Sequence, residues 1–338
     1  MNNNKILFPF YFKTNDGLFC HTVSNHCYDD NGKIIGIPKY FPADGNIDNG
    51  RIIDGKLYFD HMPTFGHSIN RTRQKYQKYM NYVKYYGEEM CTFDSSDISI
   101  IFDPRNTVKS IYNDHEKYNN KIHSDARKLI ESINSILDIP LADIGIEGSL
   151  MLNCYKNNSD IDVVIFGEKS IYKLLNSFDN LGRLPDIHLY DMGDIDLIYS
   201  RRYKYESFDT NEELLAQEKK RTVGLINGRR FWLQPVLEDD FIFEKRNYNL
   251  ARIDLIEDVF FVKNGIQGTT WPAFYEIENK KYGSIYMECY DPIYMNQAST
   301  GDKILVRGFL YGAIDKNDNK KVVILAPWIE TKQYLRKI

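Results

Sequence analysis

The sequence predicts an α+β protein in which a mixed sheet with helices on one face is flanked by an N-terminal α/β region and a C-terminal β-rich region. Three observations lead to this fold class. Short strand patterns open the chain, an apolar helical period precedes an apolar strand in the middle, and strand patterns fill the chain from Arg252 onward. The length of 338 residues is enough for two or three domains. We expect them at residues 1–115, 116–250 and 251–338.

The N-terminal region begins with alternating apolar segments at residues 6–13, 17–23 and 34–41, each bounded by Asn, Asp, Gly or Pro. A helix is expected around residues 68–86 and a strand near 98–102, followed by a connection over 103–114. Five tyrosines between positions 76 and 86 recur at helical spacing among lysines. Two interpretations remain open: the rings form the buried edge of an amphipathic helix, or they stack on unpaired RNA bases beside basic side chains.

The central region starts with residues 117–137, where Ile122, Ala126, Leu129 and Ile133 follow a helical period. Pro140 then leads into a short apolar strand at 141–146. Gly148-Ser149 reads as a tight turn, and residues 150–155 read as the first turns of a helix. A second apolar strand follows at 160–166.

Two aspartates alternate on that second strand. Side chains of a strand repeat with period two, so Asp160 and Asp162 point to one side while Ile161 and Val163 point to the other. Paired carboxylates on one face can hold Mg²⁺ (or Mn²⁺), which takes carboxylate oxygens together with phosphate oxygens of a substrate. The sequence therefore predicts a metal site at Asp160 and Asp162.

The Gly-Ser turn predicts a phosphate-binding element ten residues before this pair. Glycine at position 148 allows the backbone to approach phosphates closely, and Ser149 adds a hydroxyl donor. The N–H groups at the start of the following helix favour an anion. Together the turn and the two aspartates are typical of nucleotidyl transfer, in which bound metal ions stabilise charge on the transferred phosphorus and on pyrophosphate.

At these residues the chain resembles the DNA polymerase beta-type nucleotidyltransferase superfamily, whose signature is a Gly-Ser turn followed by Asp-x-Asp on a strand. The resemblance covers residues 130–166, and the flanks look like those of uncharacterised, mostly archaeal, predicted nucleotidyltransferases of similar length. It implies a nucleotidyltransferase-type mixed sheet. It also implies nucleotide binding by Gly148, Ser149, Lys156 and Ser159. Many relatives carry a glycine and a basic residue in the loop after the turn, whereas this loop offers only Lys156.

Active members of that superfamily have a third carboxylate on a neighbouring strand, and two segments are candidates for it. Asp196 lies in a second D-I-D-L stretch, where Asp194 and Asp196 share a face if residues 194–199 form a strand. Asp194 could equally be a helix N-cap. The rival strand, residues 230–236, suits the topology better but offers Gln234 where a carboxylate is expected. We expect the acidic residues 238–240 to form a solvated turn.

Helices are expected at residues 168–178 and 211–220. The C-terminal region predicts strands at residues 253–262, 271–277, 284–289, 303–314 and 321–328, the last two joined as a hairpin by an Asp/Asn-rich turn. Five such strands predict a small barrel or sheet, an architecture that either binds oligonucleotides or caps a domain.

Composition narrows the class of protein further. A formal net charge of −4 argues against a general DNA coat, although residues 201–204 and 219–221 with 229–230 form basic clusters that suit RNA. No apolar run reaches the about 18 residues that a membrane span needs. The N-terminus lacks a signal-peptide pattern, and five scattered cysteines argue against a disulfide framework. We therefore expect a cytoplasmic protein without a membrane partner.

The function predicted from the sequence is transfer of a nucleoside monophosphate from a nucleoside triphosphate to a hydroxyl, with release of pyrophosphate. Asp160, Asp162 and Asp196 are the expected catalytic residues. The acceptor, an RNA end, a protein side chain or a small molecule, stays open, as does the oligomeric state. The alternative is a catalytically inactive protein of the same fold that binds RNA or a protein partner.

Overall fold

The structure is a computed structural model. It describes residues 8–24, 27–43, 50–59, 65–114, 116–190, 222–237, 249–314, 321–326, 328–329 and 331–338. In these ranges the protein is a mixed α+β molecule with several sheets and few helices, as the sequence predicts. None of the helices described is long and apolar enough to cross a membrane.

The N-terminal region is built on an antiparallel sheet of six strands in the order β6-β7-β3-β2-β1-β8. A two-stranded ribbon and one helix accompany this sheet. Its elements are β1 (Tyr11–Thr14), β2 (Phe19–Thr22), β3 (Ile34–Tyr40), β4 (Arg51–Ile53), β5 (Lys56–Tyr58), α1 (Phe65–Lys75), β6 (Met80–Val83), β7 (Glu88–Phe93) and β8 (Ile98–Phe102).

The helix predicted over residues 68–86 is wrong beyond Lys75. Helix α1 ends there, a 3-10 turn covers Gln77–Tyr79, and β6 then pairs antiparallel with β7. The tyrosines do not share one helical face: Tyr79 and Tyr86 are buried in the N-terminal core, whereas Tyr82 is exposed. The pairing of β6 with β7 outweighs the helical spacing of the tyrosines, because it adds a strand to the N-terminal sheet.

The central region is a mixed sheet of five strands in the order β11-β12-β13-β10-β9. Strands β10 and β13 are parallel, and the other neighbours are antiparallel. The elements are α2 (Pro104–Asn113), α3 (Lys121–Ile136), β9 (Ile144–Ile146), α4 (Gly148–Met151), β10 (Ile161–Phe166), α5 (Glu168–Ser177), β11 (Ile187–Leu189), β12 (Val223–Ile226) and β13 (Arg229–Val236).

Helix α2 lies where the sequence predicted only a connection. The Asp103 carboxylate accepts a hydrogen bond from the Arg105 backbone N–H at 2.9 Å, and Pro104 occupies the first turn. An aspartate cap followed by proline is a standard start of a helix, so this signal was present in the sequence and was missed.

The two faces of the central sheet pack against different partners. Ile161, Val163 and Ile165 of β10 join a core with α2, α3 and α5, so these helices cover one face. Val164 and Phe166 point the other way, into a core shared with the C-terminal strands. Asp162 belongs to the second face, as its alternation with Val163 predicts.

The C-terminal strands close into a barrel. Pairing runs β14-β15-β16-β18-β17 and returns from β17 to β14, with β16 and β18 parallel. All five predicted strands are present, and a sixth, β19, extends the sheet beside β17. They are β14 (Leu250–Asn264), β15 (Ala273–Asn279), β16 (Gly283–Cys289), β17 (Lys303–Ala313), β18 (Lys321–Leu325) and β19 (Tyr334–Lys337).

Two hydrophobic cores cross the boundaries between the three predicted regions. One joins Tyr86 and other residues of the N-terminal sheet to Tyr290 and Trp328 beside the barrel. The other joins Phe8 and the second face of β10 to the barrel interior. The regions therefore pack together through apolar side chains.

Candidate functional site

The two aspartates of the motif lie at the start of β10. Asp162 is the second residue of the strand, and Asp160 directly precedes it. Both side chains are partly exposed, and that of Asp160 keeps 40% of its surface accessible. The structure therefore brings two carboxylates to one end of the central sheet, on the face that Val164 and Phe166 share.

The Gly148 turn lies against the second of these aspartates. Gly148 has φ +67°, a conformation that favours glycine, and a Cβ added there would be 2.7 Å from Asp162 Oδ2. The backbone N–H of Glu147 also donates to the Asp162 carbonyl at 3.0 Å. Only glycine fits here without displacing the carboxylate.

The helix predicted after this turn is shorter than expected. Helix α4 consists of the single turn Gly148–Met151, and Asn153 has φ +50°, in the left-handed region. The prediction of a helix over residues 150–155 is therefore wrong. A helix of one turn adds little dipole, so the phosphate-binding N-terminus expected from the sequence is weak.

Three further residues predicted to bind nucleotide lie in or beside the loop 152–159. Ser149 is buried, and its carbonyl accepts from the Cys154 N–H at 2.9 Å. The Ser159 hydroxyl accepts from the Lys156 N–H at 2.8 Å, and the Ser159 N–H donates back to the Lys156 carbonyl. Ser159 thus holds the loop closed, while Lys156 is half-buried.

Two arginines from outside the loop fix its conformation. Arg51 of β4 donates to the Cys154 carbonyl at 2.9 Å. Arg229 of β13 donates to the carbonyls of Asn157 and Ser159 at 3.0 and 2.6 Å. The N-terminal region and β13 therefore both position the loop between the turn and the aspartates.

Strand β13 is the neighbour of the aspartate strand. The register pairs Asp162 with Trp232 and Val164 with Gln234. The side chains beside the two aspartates are therefore Arg230, Trp232 and Gln234, and none is a carboxylate. Gln234 is fully buried, and its amide has no hydrogen-bond partner among the residues described. Arg230 Nη1 lies 3.7 Å from Asp160 Oδ2.

The other candidates for the third carboxylate, Asp194 and Asp196, lie outside the described residues, as do the acidic residues 238–240. The same is true of the basic clusters at 201–204 and 219–221 and of the helix expected at 211–220. Their assignments stay predictions.

Glu147 is a carboxylate of this site that the sequence analysis missed. Ile144 and Ile146 point to the helix-covered face, so Gly145 and Glu147 fall on the face of Asp162. Burial, followed by the charge of Asp162, raises the pKa of the Glu147 carboxyl to about 8, although Lys39 opposes the rise. The sequence did contain a sign of this residue. Glu147 is acidic, lies two positions after Gly145 and so on the same face of the strand, and directly precedes the Gly-Ser turn.

Lys39 of β3 is the second residue that sequence reasoning missed. Its Nζ donates to the Tyr11 hydroxyl at 2.9 Å. Burial acts to lower the pKa of Lys39, yet the pKa is raised overall because Tyr40 and the nearby carboxylates of Glu147 and Asp162 outweigh burial. Burial and the same two carboxylates raise the pKa of Tyr11, which therefore stays a neutral donor. No sequence spacing links position 39 to the motif, because the two come near each other only when two sheets pack.

The oxygen donors of the site suit a hard divalent cation. Asp160 and Asp162 offer carboxylate oxygens on one face, and the absence of a side chain at Gly148 lets Asp162 Oδ2 lie against the turn. Within the described ranges no group of three or more His, Cys, Asp or Glu residues could hold a metal ion. A metal at this site would depend on the two aspartates and on oxygens of a substrate.

Comparison with known proteins gives one distant relative. The chain is 25% identical over 338 aligned residues to MJ1086, an uncharacterized protein of Methanocaldococcus jannaschii, and the alignment covers 95% of each chain. No protein family matches the sequence. No solved structure matches the chain either.

Proposed function

We propose that this protein is a metal-dependent nucleotidyltransferase, which moves a nucleoside monophosphate from a nucleoside triphosphate to a hydroxyl and releases pyrophosphate. The observation that carries the proposal is the contact between the Gly148 turn and Asp162, with Asp160 on the same face of β10. The mixed central sheet, with its helices on one face, supports a nucleotidyltransferase-type fold.

Asp160 and Asp162 would hold Mg²⁺ or Mn²⁺, since both ions prefer carboxylate and phosphate oxygens. When bound, the metal supplies charge stabilisation for the phosphoryl group and lowers the pKa of the attacking hydroxyl. The backbone of Gly148 and Ser149 would bind the phosphates, and Lys156 would add a positive charge at the loop. Asp196 remains the proposed third carboxylate on the basis of sequence alone.

One observation favours the alternative, an inactive protein that keeps the fold and binds RNA or a protein partner. Arg230 stands beside Asp160, where a further carboxylate would assist metal binding. The barrel gives this alternative little help as an oligonucleotide surface. On the outward side of β15, Glu276 and Glu278 share one lysine, Lys263, at 3.1 and 3.9 Å, so the three side chains keep a net negative charge. Acidic groups repel a phosphate backbone.

Transfer can be tested by incubating the protein with each of the four α-³²P nucleoside triphosphates, with Mg²⁺ or Mn²⁺, and total RNA, protein or small molecules as acceptors. We expect label in one acceptor class with wild type. Asp160→Asn and Asp162→Asn should lower labelling by orders of magnitude, because each removes a charge from the metal site while nearly preserving its shape.

The matched control is Asp138→Asn, since Asp138 is 92% exposed on the helix-covered side and Asn tolerates its left-handed backbone. Thermal melting should give similar midpoints for all variants. Labelling that persists in both site variants, or that wild type never produces, would refute the proposal and favour the binding protein.

A further inference from the structure

The phosphate-binding loop of this site lacks positive charge. Between Ser149 and Asp160 the chain carries one basic residue, Lys156. A bound triphosphate carries about four negative charges and needs donors of opposite sign. Arg51 and Arg229 already donate to loop carbonyls, so their hydrogen bonds serve the loop itself. Cations for a polyphosphate must come from elsewhere.

Lys39 is a half-buried cation on the N-terminal sheet that faces the carboxylates without pairing with them. Its one hydrogen bond among the described residues goes to the neutral Tyr11 hydroxyl. Tyr11 packs in one cluster with Leu152 and Cys154 of the loop 152–159, so the Lys39 ammonium lies beside the site. Glu147, Asp162 and Asp160 act on it electrostatically, and no ion pair among the described residues joins it to them. An ammonium group has three donors, so two remain for another partner.

Arg230, on the strand next to the aspartate strand, is a second cation near the site. Its Nη1 stands 3.7 Å from Asp160 Oδ2, well beyond the about 2.8 Å of a charge-assisted hydrogen bond. Its Nε is buried and has no partner among the residues described. The guanidinium therefore retains donors in a planar fork that matches phosphate oxygens.

Two cations from different sheets thus lie near the carboxylates without a hydrogen bond to them among the described residues. Carboxylates with cations nearby suit a polyphosphate that carries a metal ion. The metal binds the carboxylates, and the phosphate oxygens bind ammonium and guanidinium groups. We propose that Lys39 of β3 and Arg230 of β13 bind the phosphates of the metal-bound substrate, so that the N-terminal sheet forms part of the polyphosphate site. This inference rests on the proposed nucleotide-binding function of the site.

The test is isothermal titration calorimetry of the full-length protein with Mg²⁺ and inorganic tripolyphosphate, which carries phosphates without a base, and in parallel with a nucleoside triphosphate. Lys39→Gln keeps a donor for Tyr11, and Arg230→Gln keeps polar character. We expect each variant to weaken both ligands about 10- to 100-fold, the range for losing a charged hydrogen bond. Lys39→Arg and Arg230→Lys should recover part of the affinity, because they restore charge.

Two exposed cations serve as controls. Lys173→Gln and Arg307→Gln break surface ion pairs with Asp138 and Glu257 and should change affinity by less than about twofold. If Asp160→Asn abolishes binding while both Lys39→Gln and Arg230→Gln bind normally, the inference is wrong and the proposed function survives. Binding that depends on both cations, in a protein without labelling activity, supports the inference and counts against transfer. Wild type that binds neither ligand overturns both.

Discussion

Gly148 combines a left-handed backbone with a close approach to Asp162, and the two effects can be separated. Gly148→Ala adds backbone strain of about 1–2 kcal/mol and also a methyl group 2.7 Å from Asp162 Oδ2. Gly283→Ala is the matched control, since Gly283 has φ +69° with nothing within 4 Å of the added Cβ. Urea unfolding should show a larger loss of stability for Gly148→Ala. Equal losses would mean that the contact with Asp162 is unimportant.

His21 makes the stability of the protein depend on pH. Burial, aided by the charge of Lys39 and opposed by a hydrogen bond to the Thr22 carbonyl, lowers the pKa of His21 to about 3. The unfolded chain binds this proton near pH 6.5 and the folded one does not. Stability is therefore lost as pH falls from about 6.5 toward 3.

The expected loss from His21 between pH 7 and pH 5 is about 2 kcal/mol. Urea unfolding at the two pH values should show a smaller decrease for His21→Gln than for wild type. The exposed His188→Gln should match wild type. The same decrease in all three proteins would exclude His21 as its source.

The residues of the site differ in how far the sequence reveals them. Asp160, Asp162 and Gly148 lie within one short motif. The alternation of side chains along a strand and the glycine turn therefore predict that they lie close together. Glu147 belongs to the same segment and was readable by the same alternation. Lys39 lies more than a hundred positions away on another sheet, and its electrostatic effect on Glu147 arises from tertiary packing that local patterns do not encode.

At the scale of elements, a buried ion pair ties α3 to β13. Arg229 Nε lies 3.1 Å from Asp125 Oδ2, and the Asp125 side chain is only 4% exposed. Asn227 also donates to Asp125, at 2.8 Å. Arg229 also donates to carbonyls of the loop 152–159, so the ion pair connects α3 to the loop beside the aspartates.

Asp125→Ala should destabilise the protein by about 3 kcal/mol, since it leaves a buried guanidinium without its anion. It should also speed proteolysis within the loop 152–159. The control is Lys173→Met, which removes a surface ion pair and should cost at most about 1 kcal/mol. Urea unfolding and timed trypsin digestion measure both effects. If the two variants were equally stable and equally resistant, the ion pair would have no such role.

Helices and strands were predicted correctly where the sequence carried one clear periodicity, and incorrectly where helical and strand patterns overlapped. The C-terminal strands alternate strongly, and all five were found. The tyrosine segment carries helical spacing, yet its second half pairs with β7 because that pairing buries Tyr79 and Tyr86 in the N-terminal core. Closure of the barrel depends on β14 pairing with β17, about fifty residues apart, which no local pattern shows.

At the scale of the whole molecule, aromatic packing joins the first and last regions of the chain. The Tyr86 ring lies 5.6 Å from that of Tyr290 and 5.5 Å from that of Trp328. Tyr85 donates to both carboxylate oxygens of Glu288 at 3.0 Å, and all these groups are buried. Separating the regions would expose these rings and remove the hydrogen bonds from Tyr85 to Glu288, so neither region has a complete core alone.

We therefore expect the full chain to unfold in one cooperative transition, with calorimetric and van't Hoff enthalpies that agree. Trp328→Ala should lower the midpoint of that single transition, because removing a buried tryptophan costs about 3–5 kcal/mol and the loss is shared by both regions. Tyr172→Ala, at a side chain 71% exposed, should leave the midpoint unchanged. Differential scanning calorimetry distinguishes the cases. Two transitions, of which Trp328→Ala shifts only one, would show that the barrel folds independently of the rest of the chain.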